Sequence, residues 1–207
     1  MAAKITLAQK GESHTIQLAS KTQEVTINLN WKTSADLDLG CFYELRKGSG
    51  LFGGGATKSV IDGVQFSHGR GGPRNKATAQ GCYTKSPYIY HLGDDRTGSQ
   101  MSEGENIIIN PEGYSNLVRM YVYTFIYEGA PNWSYTDAVV TVKVPGQPEV
   151  TVEMGRESDP RVFCVIAGLE FTGADRMKVT KLVSFHNGHE EADRAYRWGM
   201  KWTAGSK

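Results

Sequence analysis

Two short segments of this chain carry more carboxylate than a strand or a turn needs. Asp36-Leu37-Asp38 sets two aspartates at i and i+2, and Gly93-Asp94-Asp95-Arg96-Thr97-Gly98 is followed closely by Glu103-Gly104-Glu105. Aspartate is disfavoured inside strands. In an extended chain an i, i+2 pair projects its charges to one face, roughly 6.6 Å apart along the backbone. The six carboxylates of these segments, if gathered, would repel and lose hydration, which raises their proton affinity at the expense of the folded state. A divalent cation removes that conflict. Calcium matches the donor set in kind, because it takes about six to eight oxygens at about 2.3–2.6 Å from carboxylates, backbone carbonyls and water. A glycine-bracketed loop such as GDDRTG can turn carbonyls inward. No His or Cys lies inside the acidic segments, although His91 is close, so zinc and copper match less well. Magnesium prefers fewer protein ligands. The pattern is not an EF-hand: counted from Asp36, the places that need Gly and Glu hold Cys41 and Lys47.

Spacing bears on stoichiometry. Two carboxylates on one ion must lie within about 5 Å of each other. Asp36 and Asp38 therefore converge on one ion only if the strand bends there, and otherwise serve two neighbouring ions. Two divalent ions against the six carboxylates leave a formal excess of two negative charges, partly offset by Arg96, and two ions are the expectation. A bland alternative stands beside this one. Asp and Gly are ordinary turn residues, and GDDRTG can be a polar turn whose aspartates bond its own backbone.

The elements that must position these residues read as strands. Glu24–Trp31 alternates strictly, with Val25, Ile27, Leu29 and Trp31 on one face. Asp36–Leu45 puts Leu37, Leu39, Cys41, Tyr43 and Leu45 on one face and the aspartates on the other. Period two marks a half-buried strand. Segments 59–66, 86–91, 105–110, 117–127, 137–144, 149–153, 162–171 and 177–185 read the same way, with Pro-Gly, Thr-Gly and Asn-Gly turns between several of them. Many strands at short spacing imply an all-β fold, an antiparallel β-sandwich with long loops. Glu190–Trp198 fits either a short helix or another hairpin arm. The tail from residue 187 mixes Tyr196, Trp198 and Trp202 with basic residues and is expected to cap one end of the sandwich. Residues 1–186 then form the sandwich and 187–207 a short C-terminal extension packed on the same domain.

The run Tyr90-His91-Leu92-Gly93-Asp94-Asp95-Arg96-Thr97-Gly98, then Glu103, Glu105 and Ile107-Ile108-Ile109, resembles the signature of the tellurium-resistance (TerD-like) stress-protein family. Trp31 followed by Asp36-Leu37-Asp38 resembles that family's Trp and D-L-D strand. The resemblance covers roughly residues 5–186 and is specific in the two acidic motifs. It implies a calcium-binding β-sandwich of cytoplasmic bacterial stress proteins, associated with resistance to tellurite, other toxic agents and phage, and without catalysis. It carries over Asp36, Asp38, Asp94 and Glu105 as ligands, Asp95 and Glu103 as secondary ones, and Arg96 and Gly98 as sources of carbonyl oxygen. Other stress-response proteins are the implied partners. Four features depart from the family, one being the tail after His186, which goes beyond it. Lys32 follows Trp31 where many members have Asp. Gly104 stands where an acidic residue is usual, which removes one ligand. The Gly-rich segment 47–85 does not match.

Composition narrows the alternatives. A chain of 207 residues with 39% apolar content can bury one large core. A net charge of +1 provides no global field for nucleic acid or membrane. No apolar run approaches the roughly 20 residues of a membrane span, and MAAKITLAQKGES lacks a signal-peptide core, so a cytoplasmic setting is expected. Cys41, Cys82 and Cys164 are odd in number, far apart and without a CxxC pair, which fits small buried apolar side chains. His186 and His189 beside Glu190 and Glu191 read as exposed polar residues, and Arg70, Arg74 and Lys76 as a basic loop. Ser67-His68 and Cys82 have no recognisable partner for nucleophilic catalysis. The alternative function is a carbohydrate-binding or glycoside-hydrolysing sandwich that uses Asp94 and Glu105 as acid and base.

Overall fold

The computed structural model describes residues 3–18, 23–46, 59–66, 72–96, 103–154 and 157–202. Gly98, Ser67, His68 and Arg70 lie outside the described residues, as do residues 47–58 of the Gly-rich segment and residues 203–207 of the tail.

Among the described residues the chain forms β1 (Lys4–Leu7), β2 (Ser13–Gln17), β3 (Val25–Asn30), β4 (Asp36–Arg46), β5 (Ser59–Gln65), β6 (Gly81–Cys82) and β7 (Ile89–His91). It continues through β8 (Glu105–Ile109), β9 (Leu117–Glu128), β10 (Val139–Lys143), β11 (Glu149–Glu153), β12 (Phe163–Thr172), β13 (Arg176–His186) and helix α1 (His189–Tyr196). The strands make two sheets. One runs β1-β11-β10-β3-β8-β7-β6 and the other β2-β13-β12-β9-β4-β5. Every pairing is antiparallel except β1 with β11. The fold is the all-β sandwich read from the alternation. No described helix is long and apolar enough to cross a membrane.

The core between the sheets takes Val25, Ile27 and Leu29 from β3 and Leu37, Leu39, Cys41, Tyr43 and Leu45 from β4, the residues that share a face in the sequence. The other face of β4 is buried as well. Phe42 joins Tyr123, Phe163 and Val165 in a second apolar layer, closed over by Ala192 and Trp198 of the C-terminal segment. The extension thus lies across the outer face of β4, β9 and β12 instead of capping an end. Segment 189–196 is helical. Asp193 holds the turn that follows it, accepting from the Gly199 and Met200 amides at 2.7 and 2.9 Å and from Trp202 Nε1 at 2.8 Å.

Four strands differ from the sequence reading. Pairing in β7 begins at Ile89, not Ser86, because Pro87 has no amide hydrogen for a ladder and Tyr88 takes a φ of 62°. The short edge strands β1, β2 and β6 were not anticipated. In β1 and β2 only Leu7 and Ile16 are fully buried, so period two has almost nothing to register.

Candidate metal centre

The acidic residues meet where β4 runs past the end of β5. Among the described residues the β4–β5 register stops at Gly40 and Gln65. Backbone groups beyond that ladder need other partners. Here side chains from the opposite sheet do it. The Leu39 amide donates to Glu105 Oε2 at 2.7 Å, and the Leu39 carbonyl lies 3.1 Å from His91 Nε2. His91 and Glu105 share the inward faces of β7 and β8 with Ile89, Ile107 and Ile109, and both are buried. The Gly93 amide donates to His91 Nδ1 at 3.1 Å, so Nδ1 is the acceptor and Nε2 carries the hydrogen. That hydrogen serves the Leu39 carbonyl, with Glu105 Oε2 a further 3.4 Å contact. Phe66 covers the imidazole, ring centroids 5.9 Å apart.

The same carboxylate orders the acidic loop. Glu105 Oε1 accepts the Asp95 amide at 3.1 Å. From the outer side of the seven-stranded sheet, Asn28 Nδ2 donates to the Glu103 carbonyl at 2.8 Å and Asn30 Nδ2 to the same oxygen at 3.0 Å. Just ahead of β4, Trp31 Nε1 donates to the Ala35 carbonyl at 2.7 Å, closing the turn that delivers Asp36. A bulge follows at once: Asp36 pairs with Glu128 while Leu37 pairs with Ile126, leaving Tyr127 as the extra residue. Bulges bend a strand and sharpen its twist.

The outcome is a convergence of Asp36, Asp38 and Asp94. One carboxylate oxygen from each lies within 4.8 Å of the others. Asp36 and Asp38 are 4% and 3% exposed, and both Asp38 oxygens and Asp94 Oδ1 are shut off from solvent. Arg96 Nε donates to Asp94 Oδ2 at 3.0 Å from the solvent side. That bond, then the charges of Asp94 and Asp36, hold the guanidinium above its ordinary proton affinity. The donor set fits a hard divalent ion. Two oxygens bound to one calcium at about 2.4 Å can be at most about 4.8 Å apart, and this set meets that limit.

The other sequence candidates stand at different removes. Glu105 sits beside the cluster, with both oxygens accepting backbone amides. Asp95 is half-buried and contributes its amide to Glu105. Glu103 is exposed, and its carbonyl is taken by two asparagines. Gly104 has a simple backbone reason to be glycine. Its φ is +79°, and an added Cβ would lie 2.1 Å from the Leu29 carbonyl oxygen. On this backbone no acidic side chain can stand there. Sequence reasoning missed His91, Asn28 and Asn30. The one signal was that His91 opens the acidic motif.

Other constellations are weaker. Ser184 Oγ lies 2.8 Å from His186 Nε2, but His186 Nδ1 is 3.9 Å from Glu191 Oε1, too far for the hydrogen bond that would orient a catalytic imidazole. His189 is not an exposed polar residue. Its ring is packed among Phe125, Phe163, Tyr123 and Trp202 at centroid distances of 4.7–5.2 Å. Arg74 lies over the Tyr90 ring at 5.7 Å, so part of the basic loop is pinned to the sheet.

Comparison with known proteins places this architecture. No family model matches the chain. The crystal structure of a homologue of the telluride resistance protein TerD, from Streptomyces coelicolor A3(2), superposes with a TM-score of 0.50 at 16% identity, covering 83% of this chain and 95% of that one. The crystal structure of a protein of unknown function, SAV2460, gives a TM-score of 0.53 at 12% identity, covering 88% and 100%. These likenesses show the class of fold, a two-sheet β-sandwich shared with both structures. The tellurium resistance protein TerA of Alcaligenes sp. is 34% identical over 214 aligned residues, taking in 95% of this chain and 57% of that protein. The chain belongs to the tellurium-resistance, TerD-like family. It spans little more than half the length of the relative it matches.

Proposed function

We propose that this protein is a calcium-binding module of a toxic-agent stress response of the tellurite-resistance type, acting by binding other stress-response proteins and not by catalysis. One observation carries the metal reading: carboxylate oxygens of Asp36, Asp38 and Asp94 lie within 4.8 Å of one another in a largely buried corner. Three gathered carboxylates are a cost to the folded state until a cation offsets them. What supports a shared ion is that carboxylate oxygens of Asp36 and Asp38 come within 4.8 Å of each other, beside the register shift opposite Tyr127 of β9. We therefore assign one ion to these three residues, in place of the two expected from spacing. Asp95 and Arg96 are neighbours from which backbone oxygens can complete the shell, whereas the Glu103 carbonyl is already held by Asn28 and Asn30. Glu105 and His91 act as positioning residues. The resistance role is carried over from a relative of which the chain spans 57%. A cytoplasmic setting is part of the reading, since buried free cysteines suit a reducing compartment.

The hydrolytic alternative needs a reachable acid and base. Glu105 is 1% exposed and committed to two backbone amides, which leaves it ill-suited to either role.

The test is a calcium titration by calorimetry and thermal melting on the wild type and Asp36→Asn. Binding to the folded state adds stability by mass action, about 2.7 kcal/mol at a hundred times the dissociation constant. The wild type should bind one ion and gain stability, and the variant should lose the response. A wild type whose melting is indifferent to millimolar calcium sinks the proposal.

A further inference from the structure

We infer that Arg96 is a tethered counter-cation of the three-carboxylate cluster, one that lowers the cluster's affinity for a divalent ion. The inference rests on the metal reading above and goes beyond it by naming what regulates the site. Arg96 Nε is bonded to Asp94 Oδ2 at 3.0 Å, and its side chain is 58% exposed while that of Asp94 is 12% exposed. The guanidinium therefore approaches from solvent onto the one member of the cluster that faces outward. Asp36 also acts on it electrostatically, as does Glu128, the β9 residue paired with Asp36. Arg96 thus answers to two of the three cluster carboxylates, Asp94 and Asp36.

Two consequences follow from charge. Without an ion, Arg96 offsets part of the repulsion among Asp36, Asp38 and Asp94. With an ion, the same guanidinium becomes a like-charge neighbour one hydrogen bond away from a ligand, and it keeps Asp94 Oδ2 from joining Oδ1 in bidentate coordination. An exposed positive charge at that range weakens divalent binding by about three- to tenfold at moderate salt. Arg96 is always charged and cannot be relieved by deprotonation. The site then stays open at low free calcium and fills when calcium rises, which suits a sensor better than a structural ion.

The two effects have opposite signs, and this separates them from a packing role. In Arg96→Gln, the melting temperature in EDTA should fall, while calcium by calorimetry should bind about three- to tenfold tighter. Arg96→Lys keeps the charge and should keep both values near the wild type. A residue that merely props the loop would lower stability in EDTA and weaken calcium binding together, and that result overturns the inference, as does an unchanged dissociation constant in Arg96→Gln. A wild type that takes up no calcium overturns the metal reading and this inference with it. Binding in the wild type with no gain in Arg96→Gln overturns this inference alone.

Discussion

Glu105 and Leu39 join the two sheets: a wholly buried carboxylate oxygen on β8 accepts the amide of a β4 residue at 2.7 Å, one residue before the last described pair of the β4–β5 ladder. The second oxygen holds the Asp95 amide, so one side chain braces both acidic segments. A ligand role and a brace role predict opposite results for Glu105→Gln without metal. Removing charge from a repelling cluster raises stability. Removing a two-sided acceptor leaves a buried N–H facing an NH2 group, which costs about 1–3 kcal/mol. The expected result is a loss of that size in urea unfolding with EDTA present. A gain would return Glu105 to the set of ligands.

What the sequence made legible here was charge and period, and what it hid was depth. Alternation in segments 24–31 and 36–45 located β3 and β4 and the face that enters the core. It could not tell that the other face of β4 is also covered, because Phe42 reads as one apolar residue among Asp36, Asp38 and Glu44 until the tail is laid over it. The carboxylates announced themselves by their cost. His91 opens the acidic motif, but its part in bracing Leu39 shows only once β7 is laid against β4. Gly104 was read as a lost ligand because spacing shows side chains and not φ. Its meaning lies in the approach of the Leu29 carbonyl.

The tail gives a second prediction. The buried Asp193 carboxylate gathers Gly199, Met200 and Trp202 donors into the turn that presents Trp198 and Trp202 to Phe42. Asp193→Ala leaves these donors without their acceptor and should cost about 2–4 kcal/mol. The turn should loosen before the sandwich does. Limited proteolysis should cut after residue 196 in the variant while the wild type resists, and tryptophan emission should shift to the red.

A third prediction concerns acid. Burial among aromatic rings holds His189 down to about 4 from its ordinary value of 6.5. Between these values the unfolded chain binds a proton that the folded chain refuses, so stability falls as pH drops through that window and is complete above it. The ceiling for this one group is about 3 kcal/mol. His186, lowered first by burial and partly restored by Glu191, adds in the same direction. His189→Phe should flatten the pH dependence of unfolding between about pH 6.5 and 4. A variant that keeps the wild-type slope would refute the assignment.

The last prediction bears on whether this chain can itself reduce an oxyanion such as tellurite. Direct reduction by the protein requires thiolates, and thiolates require a pKa near neutrality and access. Cys41, Cys82 and Cys164 are all buried and free. Burial pushes Cys41 up to about 12 and raises Cys164 as well, while Cys82 sits with Sγ 3.4 Å from the Arg74 carbonyl. The three cysteines also lie apart in the chain with no CxxC pair. The native protein should therefore leave a thiol-reactive disulfide reagent unreacted over hours, release three equivalents when unfolded in guanidinium, and consume no tellurite in either the presence or the absence of calcium. Rapid reaction of even one thiol in the folded state would reopen a redox role. Slow reaction at the rate of unfolding would leave the acidic corner, and what binds there, as the part of the molecule to pursue.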